Sequence, residues 1–446
     1  MKTCSLLAVL LLFLPGVLHA GGGSVTLKEA VSLSLKRSNL LRAAEYRKTA
    51  AERGAAASHS RFFPRIFLEE GFAASNAPTR VFMMKLDQGR FSDNDFLIDH
   101  LNHPDSTTDF RTAFTLEQPV FDLGVLYGYE MAAKEAEAEG FAYERLAEEV
   151  AFRVVSSYLE VQKARAMLEA AEEAVRSAAE HRRLARVRSG EGVGLKSDEL
   201  RAGAFLAEME ERRIAAENDL RLARMRLALA VGGKAGESLD IAETIPAVTV
   251  DRKEEELLAV ALKKRKDLRE AEKAAEKAGV GVKLAGSAFL PALYAGATYQ
   301  MNDRDNPFGR DNDSWTAGVT LRWELFDGLR RIQERARSRA MEHSARENLE
   351  QQAKEVDYQV RESLLRREEA GKRLAAARAS FLDAEESVRL ITKRFANSLA
   401  TLVEVLDAQT ALNRARASVV ENEANSALAA ARVWFSAGIL LEEVMK

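Results

Sequence analysis

Two stretches of the chain, SRFFPRIFLEEGF at 60–72 and SAFLPALYAGATY at 287–299, belong to an internal duplication. A repeat of this size means one structural unit built twice. LEQPVFD at 116–122 answers LRWELFD at 321–327, and residues 188–232 answer 394–438 without a gap at a spacing of 206. Pro64 and Pro291 lie 227 residues apart, so the first copy carries a longer insertion between Pro64 and Phe121.

The eight prolines fall at 15, 64, 78, 104, 119, 246, 291 and 307, which leaves 120–245 and 308–446 free of the strongest helix breaker. Those segments are rich in Ala, Glu, Arg and Leu at helical spacing. With breaks at SGEGVG (189–194) and ANSLA (396–400), the pattern predicts helices over about 26–62, 125–189 and 196–232. The second copy repeats them over about 252–287, 328–395 and 400–443. At ~1.5 Å per residue the long helices reach on the order of 100 Å and the short ones about 55 Å. Helices of this length cannot bury both faces within a globular monomer, so side-by-side packing in a tube or bundle is expected.

Between the first helix and the long helix of each copy the period changes to two. In WTAGVTLRWELF, Trp315, Ala317, Val319, Leu321, Trp323 and Leu325 alternate with Thr316, Gly318, Thr320, Arg322 and Glu324. Phe110, Thr112, Phe114 and Leu116 alternate in the same way with Arg111, Ala113, Thr115 and Glu117, and Leu293, Ala295, Ala297 and Tyr299 form a weaker stripe. A soluble sheet packed on helices shows such alternation too. Strands of this length also suit a tilted bilayer crossing, and the helices here are too polar to cover the apolar stripe. Four strands cannot close a barrel, and lipid tolerates no open edge, so the chain is expected to oligomerise. Three copies would give twelve strands.

The N-terminus, MKTCSLLAVLLLFLPGVLHA, has one Lys, an apolar run and a small residue at Ala20, the pattern of a cleaved secretory signal. Cys4, the only cysteine, lies inside it, so a cysteine-free mature chain is expected. Charged residues are 30% of the chain but balance to a net −3, which steers nothing toward nucleic acid. VGGKAGES at 231–238 has Ala235 where a phosphate loop needs Ser or Thr, and there is no HExxH, so no catalytic centre and no cofactor are expected. Asp93, Asp95, Asp99, His100, His103 and Asp105 fit no established metal-ligand spacing, and their stretch reads as a polar surface loop.

Together, the repeated short helix ending in FFP or FLP, the QPVFD and WELFDG strand ends leading into long helices, and FANSLATLVEVLDAQTAL at 395–412 resemble the TolC family of outer-membrane efflux and export channels. The resemblance covers essentially the whole mature chain. It implies a mostly α fold with a membrane β-barrel portion: a homotrimer whose twelve-stranded barrel continues into an α-helical periplasmic conduit. It further implies an exit duct of a tripartite efflux or type I secretion system, seated in outer-membrane lipid. The implied partners are a periplasmic adaptor and an inner-membrane RND or ABC-type pump. The expected division is a signal over 1–20, a first repeat over 21–235 with its strand pair at 63–121, a linker over 236–251, and a second repeat over 252–446 with its strand pair at 288–326. The competing reading is a periplasmic adaptor or structural coiled coil, but an adaptor needs one helical hairpin flanked by compact β domains.

In that family acidic side chains near the periplasmic tip form rings that narrow the entrance, and the matching residues here are Glu404 and Asp407. Ser197 and Asp198 match a hydroxyl and an Asp that take part in closing the aperture, and Arg201 falls opposite Asp407 in the repeat. Phe395 stands where the family has a gate tyrosine, and Ala400 where it has an arginine. With both hydrogen-bonding partners missing, Arg201 or Arg394 paired with a carboxylate is the expected substitute. The insertion at 79–110 is expected to project from the outer face.

Overall fold

The structure, a computed structural model, describes residues 24–234, 236–242 and 252–445. The expected signal and most of the expected linker lie outside the described residues. The first half runs β1 (Ser24–Val25), α1 (Leu27–Arg37), α2 (Asn39–His59), β2 (Arg65–Ser75), α3 (Pro78–Asp87), α4 (Ile98–Asn102), β3 (Thr107–Phe121), α5 (Leu123–Gly190) and α6 (Lys196–Ala230). Then follow β4 (Asp240–Ile241), α7 (Glu254–Lys264), α8 (Lys266–Ser287), β5 (Ala292–Asp303), β6 (Asn312–Arg322), α9 (Arg330–Ala396), α10 (Leu402–Ser436) and α11 (Leu440–Val444). None of the described helices is long and apolar enough to cross a membrane.

The halves repeat each other closely. Shifting α1 by the proline spacing of 227 residues lands on α7, and the same shift carries β2 onto β5. The helices expected over 26–62 and 252–287 are each broken, at Ser38 and at Arg265, again 227 apart. The expected 400–443 helix stops at Ser436, where Gly438 turns with φ 68° before α11.

Two compact units are present, and each draws on both halves of the chain. One holds the described residues up to Asn39, Ala147–Leu257 and Val360 onward. Its core joins Ala30 and Val31 of α1 to Ala151, Val154 and Tyr158 of α5, to Leu220 and Leu227 of α6, and to Ala431 and Leu440. The many alanines let helix backbones approach closely. The parallel pair β1–β4 is fastened to this core by the Tyr158 hydroxyl, which donates to the Val25 carbonyl at 3.0 Å, and by Asp240, which receives Arg165 and Arg224 at 2.6 Å each.

The other unit, Leu40–Leu146 and Leu258–Gln359, contains a four-stranded antiparallel sheet in the order β2-β3-β5-β6. Register puts Ile66, Leu116, Ala297 and Ala317 in one cross-strand row and Leu68, Phe114, Tyr299 and Trp315 in the next. Val319 and Leu321 extend the same face, and all three of Trp315, Val319 and Leu321 are more than 60% exposed. The opposite face carries Arg65, Glu69, Arg111, Thr115, Glu117, Thr298, Gln300, Thr316, Thr320 and Arg322. One face is thus apolar and bare, the other polar, because side chains alternate along a strand. Among the described residues, both edge strands, β2 and β6, lack a partner on their outer side.

β6 ends at Arg322, four residues short of the expected WTAGVTLRWELF strand. Its partner β5 begins at Ala292 after Pro291, and the ladder ends with Ala292 opposite Arg322. The Trp323 indole instead donates to the Phe289 carbonyl at 3.1 Å. The two strand-end aspartates that mark the repeat then start the long helices. Asp122 Oδ1 accepts from the amides of Gly124 and Val125 at 2.8 and 3.3 Å, and Asp327 Oδ2 accepts from the Arg331 amide and Nε at 3.0 and 3.1 Å. Each carboxylate satisfies amides that a helix start leaves without a partner.

At the second helix break Arg265 is only 1% exposed. Its guanidinium makes a two-toothed contact with Asp267, with Nε to Oδ1 at 3.0 Å, and gives Nη1 to Gln359 Oε1 at 2.7 Å. Gln352 donates to the same carboxylate at 3.0 Å, and Arg145 stands 4.0 Å away. Burial pushes the Asp267 pKa up, but the hydrogen bonds and charge of Arg265, helped by Arg145, outweigh it and hold the group below its ordinary value.

The stretch 78–106 departs from the expected surface loop. It folds as α3 and α4 around its own aromatic contacts, Phe82 on Phe91 at 4.6 Å and Phe91 on Phe96 at 5.1 Å. Pro78 at the first turn of α3 suits a position whose amide has no helical acceptor. Asp95 closes a capping box with Ser92 and pairs with Lys85 at 2.7 Å; Lys85 chiefly, with the Ser92 amide, holds its carboxyl down to about 2.

Candidate aperture at the helix turns

The six residues singled out from the sequence all lie at or beside the turns that join α5 to α6 and α9 to α10. Both turns use the same backbone device, 206 residues apart. Gly192 has φ 78° and Ser398 has φ 59°. The Arg188 carbonyl receives the Val193 and Gly194 amides at 3.0 and 2.9 Å, and the Arg394 carbonyl receives the Leu399 amide at 2.8 Å. A left-handed residue after the last helical turn returns amides to its orphan carbonyls. Glycine does this at no steric cost, whereas Ser398 bears a Cβ.

Ser398 is tied down by Arg188, whose Nη2 donates to its Oγ at 3.4 Å. Arg188 Nη1 donates to the Phe395 carbonyl at 3.3 Å, and the guanidinium lies 4.7 Å from the Phe395 ring centre. Phe395, which lacks a tyrosine hydroxyl, is therefore held through its ring face and its backbone. Neither Arg201 nor Arg394 makes an ion pair with Glu404 or Asp407 among the described residues; Arg394 donates to the Leu399 carbonyl at 3.1 Å. The sequence signal for Arg188 was its place opposite Arg394 in the gapless repeat.

Leu402, Leu406, Ala202, Phe205, Leu206 and Met209 are buried against Ala174, Ala178 and Ala185 of α5, which fixes the orientation of α6 and α10. Glu404 and Asp407 consequently share the exposed side of α10, three residues apart. Ser197 and Arg201 are exposed on α6, and Asp198 is half-buried. Beneath them His181 is buried against Gln409, and burial lowers its pKa while the Gln409 hydrogen bond pulls the other way.

Glu404 has a local duty. Its Oε2 accepts from the Thr401 amide at 2.6 Å and from the Thr401 hydroxyl at 2.9 Å, while Thr401 Oγ1 accepts from the Glu404 amide at 3.3 Å. This capping box closes the start of α10, whereas Leu195 at the start of α6 offers no side-chain cap. The Thr401 contacts hold the Glu404 carboxyl below its ordinary 4.5. Thr401→Ala is expected to lower the unfolding free energy by about 1 kcal/mol, read as a lower denaturation midpoint. A depressed folded pKa stabilises above the unfolded pKa and loses that effect as pH falls through the folded value. The gap between wild type and Thr401→Ala is therefore expected to narrow as pH drops below 4.5.

No curated protein sequence matches the chain. Its fold is shared by solved structures of low sequence identity. The outer membrane protein VceC of Vibrio cholerae superposes with a TM-score of 0.78 at 18% identity, over 92% of this chain and 96% of that one. The CmeC outer membrane channel of Campylobacter jejuni gives 0.79 at 17%, over 94% and 89%. The MtrE outer membrane channel of Neisseria gonorrhoeae gives 0.76 at 16%, over 94% and 90%. The outer membrane efflux protein family matches residues 30–233 and 257–438, both halves of the repeat from the first helix to the last turn, and the chain belongs to that family.

Proposed function

We propose that three copies of this chain form an exit duct through the outer membrane, receiving substrates from an inner-membrane pump of RND or ABC type through a periplasmic adaptor. The observation that carries this reading is the four-stranded sheet with one bare apolar face and two unpartnered edges, in a chain whose long helices are polar. An apolar face suits lipid, but unpaired edges do not, so the sheet requires neighbours. Three copies supply twelve strands and a water-filled interior lined by the polar face. Belonging to the outer membrane efflux protein family and sharing the fold of outer membrane channels support the same reading.

The test is the mass of the full-length protein extracted in detergent from an outer-membrane fraction, by light scattering with the detergent subtracted. A trimer is expected; a soluble monomer overturns the reading.

The exposed Asp407 is read as a pore-lining charge that threefold symmetry triples. Glu404, Ser197, Asp198 and Arg201 would stand around the same entrance, with Phe395 and Arg188 bracing the turn. Asp407→Asn is expected to reduce the preference for cations over anions, seen as a reversal potential moving toward zero in a salt gradient. An unchanged reversal potential would remove Asp407 from the pore.

A further inference from the structure

We propose that residues 78–106 form a cap over the polar face of the sheet at its loop end, so that three copies narrow the outer mouth of the duct and set the size of molecule that passes it. This rests on the channel reading above.

The cap lies against the inward face, not merely beyond the strand ends. Gln88, just after α3, is 1% exposed, and its Nε2 donates to the Thr108 carbonyl at 2.8 Å and to Asp109 Oδ1 at 2.9 Å. Asn302 Nδ2 reaches the same carboxylate at 2.9 Å. Asp109 and Asn302 belong by alternation to the polar face with Arg111, Thr115 and Gln300. A Cβ on Gly89 would lie 3.4 Å from the side chain of Asn312, which shares that face on β6. Arg90 donates to Asp311 at 3.4 Å, so the insertion reaches across to the other hairpin. Val81 of α3 is buried, and so are Asp109 and Ala113 of β3 and Asn302 of β5 on the polar face at this end of the sheet.

Two further features point to a cap that other copies meet. The hairpin β5–β6 joins its strands through residues 304–311 alone, so the insertion is not needed to connect strands. The insertion also leaves Met83, Leu86, Phe96, Leu97 and Ile98 exposed. Among the described residues of one chain, nothing covers these side chains. Copies related by the barrel axis bring three such surfaces together above the lumen, where each covers the next.

The clasp is polar and incompletely satisfied, since Gln88 Oε1 is buried without a hydrogen-bond partner among the described residues.

The absence of any cysteine other than Cys4 permits a direct test in intact cells, where reagents arrive only from outside. Thr320→Cys puts a thiol on the polar face below the cap, and Val319→Cys puts one on the apolar face. Each is combined with the intact insertion, with residues 78–106 replaced by a short Gly/Ser turn, and with Gln88→Ala/Arg90→Ala. The probes are a small maleimide and a polymer-linked maleimide. Thr320→Cys is expected to react with the small probe in every background, and with the polymer only when the insertion is shortened or its clasp removed. The clasp variant keeps the test alive if the shortened chain fails to give a trimer mass. Equal access of the polymer with the insertion intact, or no reaction with the small probe in any background, would overturn the cap while Val319→Cys stays protected. Labelling of Val319→Cys as fast as Thr320→Cys would overturn the channel reading and the cap with it.

Discussion

Arginine at Val319 is expected to destabilise the assembled protein by about 2–4 kcal/mol, whereas arginine at the adjacent Thr320 should leave it within about 0.5 kcal/mol of wild type. Val319 lies on β6 among Ala295, Ala317 and Leu321, and it is 67% exposed, with no described element covering it. In lipid its replacement by a guanidinium forces a charge to snorkel or to drag water into the apolar layer. Thr320 faces the other way, opposite Tyr294 and on the polar side of the strand with Thr316 and Arg322. The comparison is sharp because the two sites share a strand, a neighbour and a substituent, and differ only in face. Trimer yield in the outer membrane and the denaturant midpoint of refolding into vesicles both report it. Equal loss at the two sites would mean that the apolar face is packed against protein.

The second large effect is expected at Asp267. Asp267→Ala leaves Arg265 buried beside a lost counter-charge and should cost roughly 3–5 kcal/mol. Replacing both residues, as Arg265→Met/Asp267→Leu, should cost much less than either single change, since no orphaned charge remains. The chain already contains an uncharged version of this break. Ser38 and Leu40 occupy the corresponding places in the first copy, and the helix is interrupted there all the same. Because the Asp267 pKa is depressed on folding, its contribution is full above the ordinary 3.8 and is lost as pH falls through the lower folded value. Wild type should therefore lose stability in acid more steeply than the double variant, in denaturant titrations run across that range.

Much of the architecture was legible because its signals are long. Absence of proline over more than a hundred residues, a period of two in the strands and a gapless repeat each accumulate evidence along the chain. The ends of α5 and α9 fell close to expectation because glycine or a left-handed residue punctuates them. What escaped was decided by contacts between distant residues. Arg265 carries no helix-breaking tendency, yet its burial against Asp267 and Gln359 accompanies the break. β6 stops at Arg322, where its ladder with β5 ends at Ala292, which a single strand cannot announce. The 78–106 stretch read as a polar loop because its charges mask the apolar set that Phe82, Phe91 and Phe96 assemble only in three dimensions.

At the turns the same division holds. The pattern Thr401-x-x-Glu404 is a capping signature in plain sight. The same acid matches the family's pore charge, so the threonine three residues before it gives Glu404 a second, local role. Arg188 could not be found by residue type, since it acts on a ring face and a carbonyl from another helix.

The sheet also bears on ancestry through parity. Four antiparallel strands give edges that run in opposite directions, so copies rotated about one axis meet antiparallel at every seam. A unit with an odd count would bring like-directed edges together instead. Each half of the duplication contributes a two-stranded hairpin, which is already even. In the proposed barrel, half-length units assembling in twice the number of copies would meet the same rule at their seams, so joining two of them end to end would leave the direction of every seam unchanged.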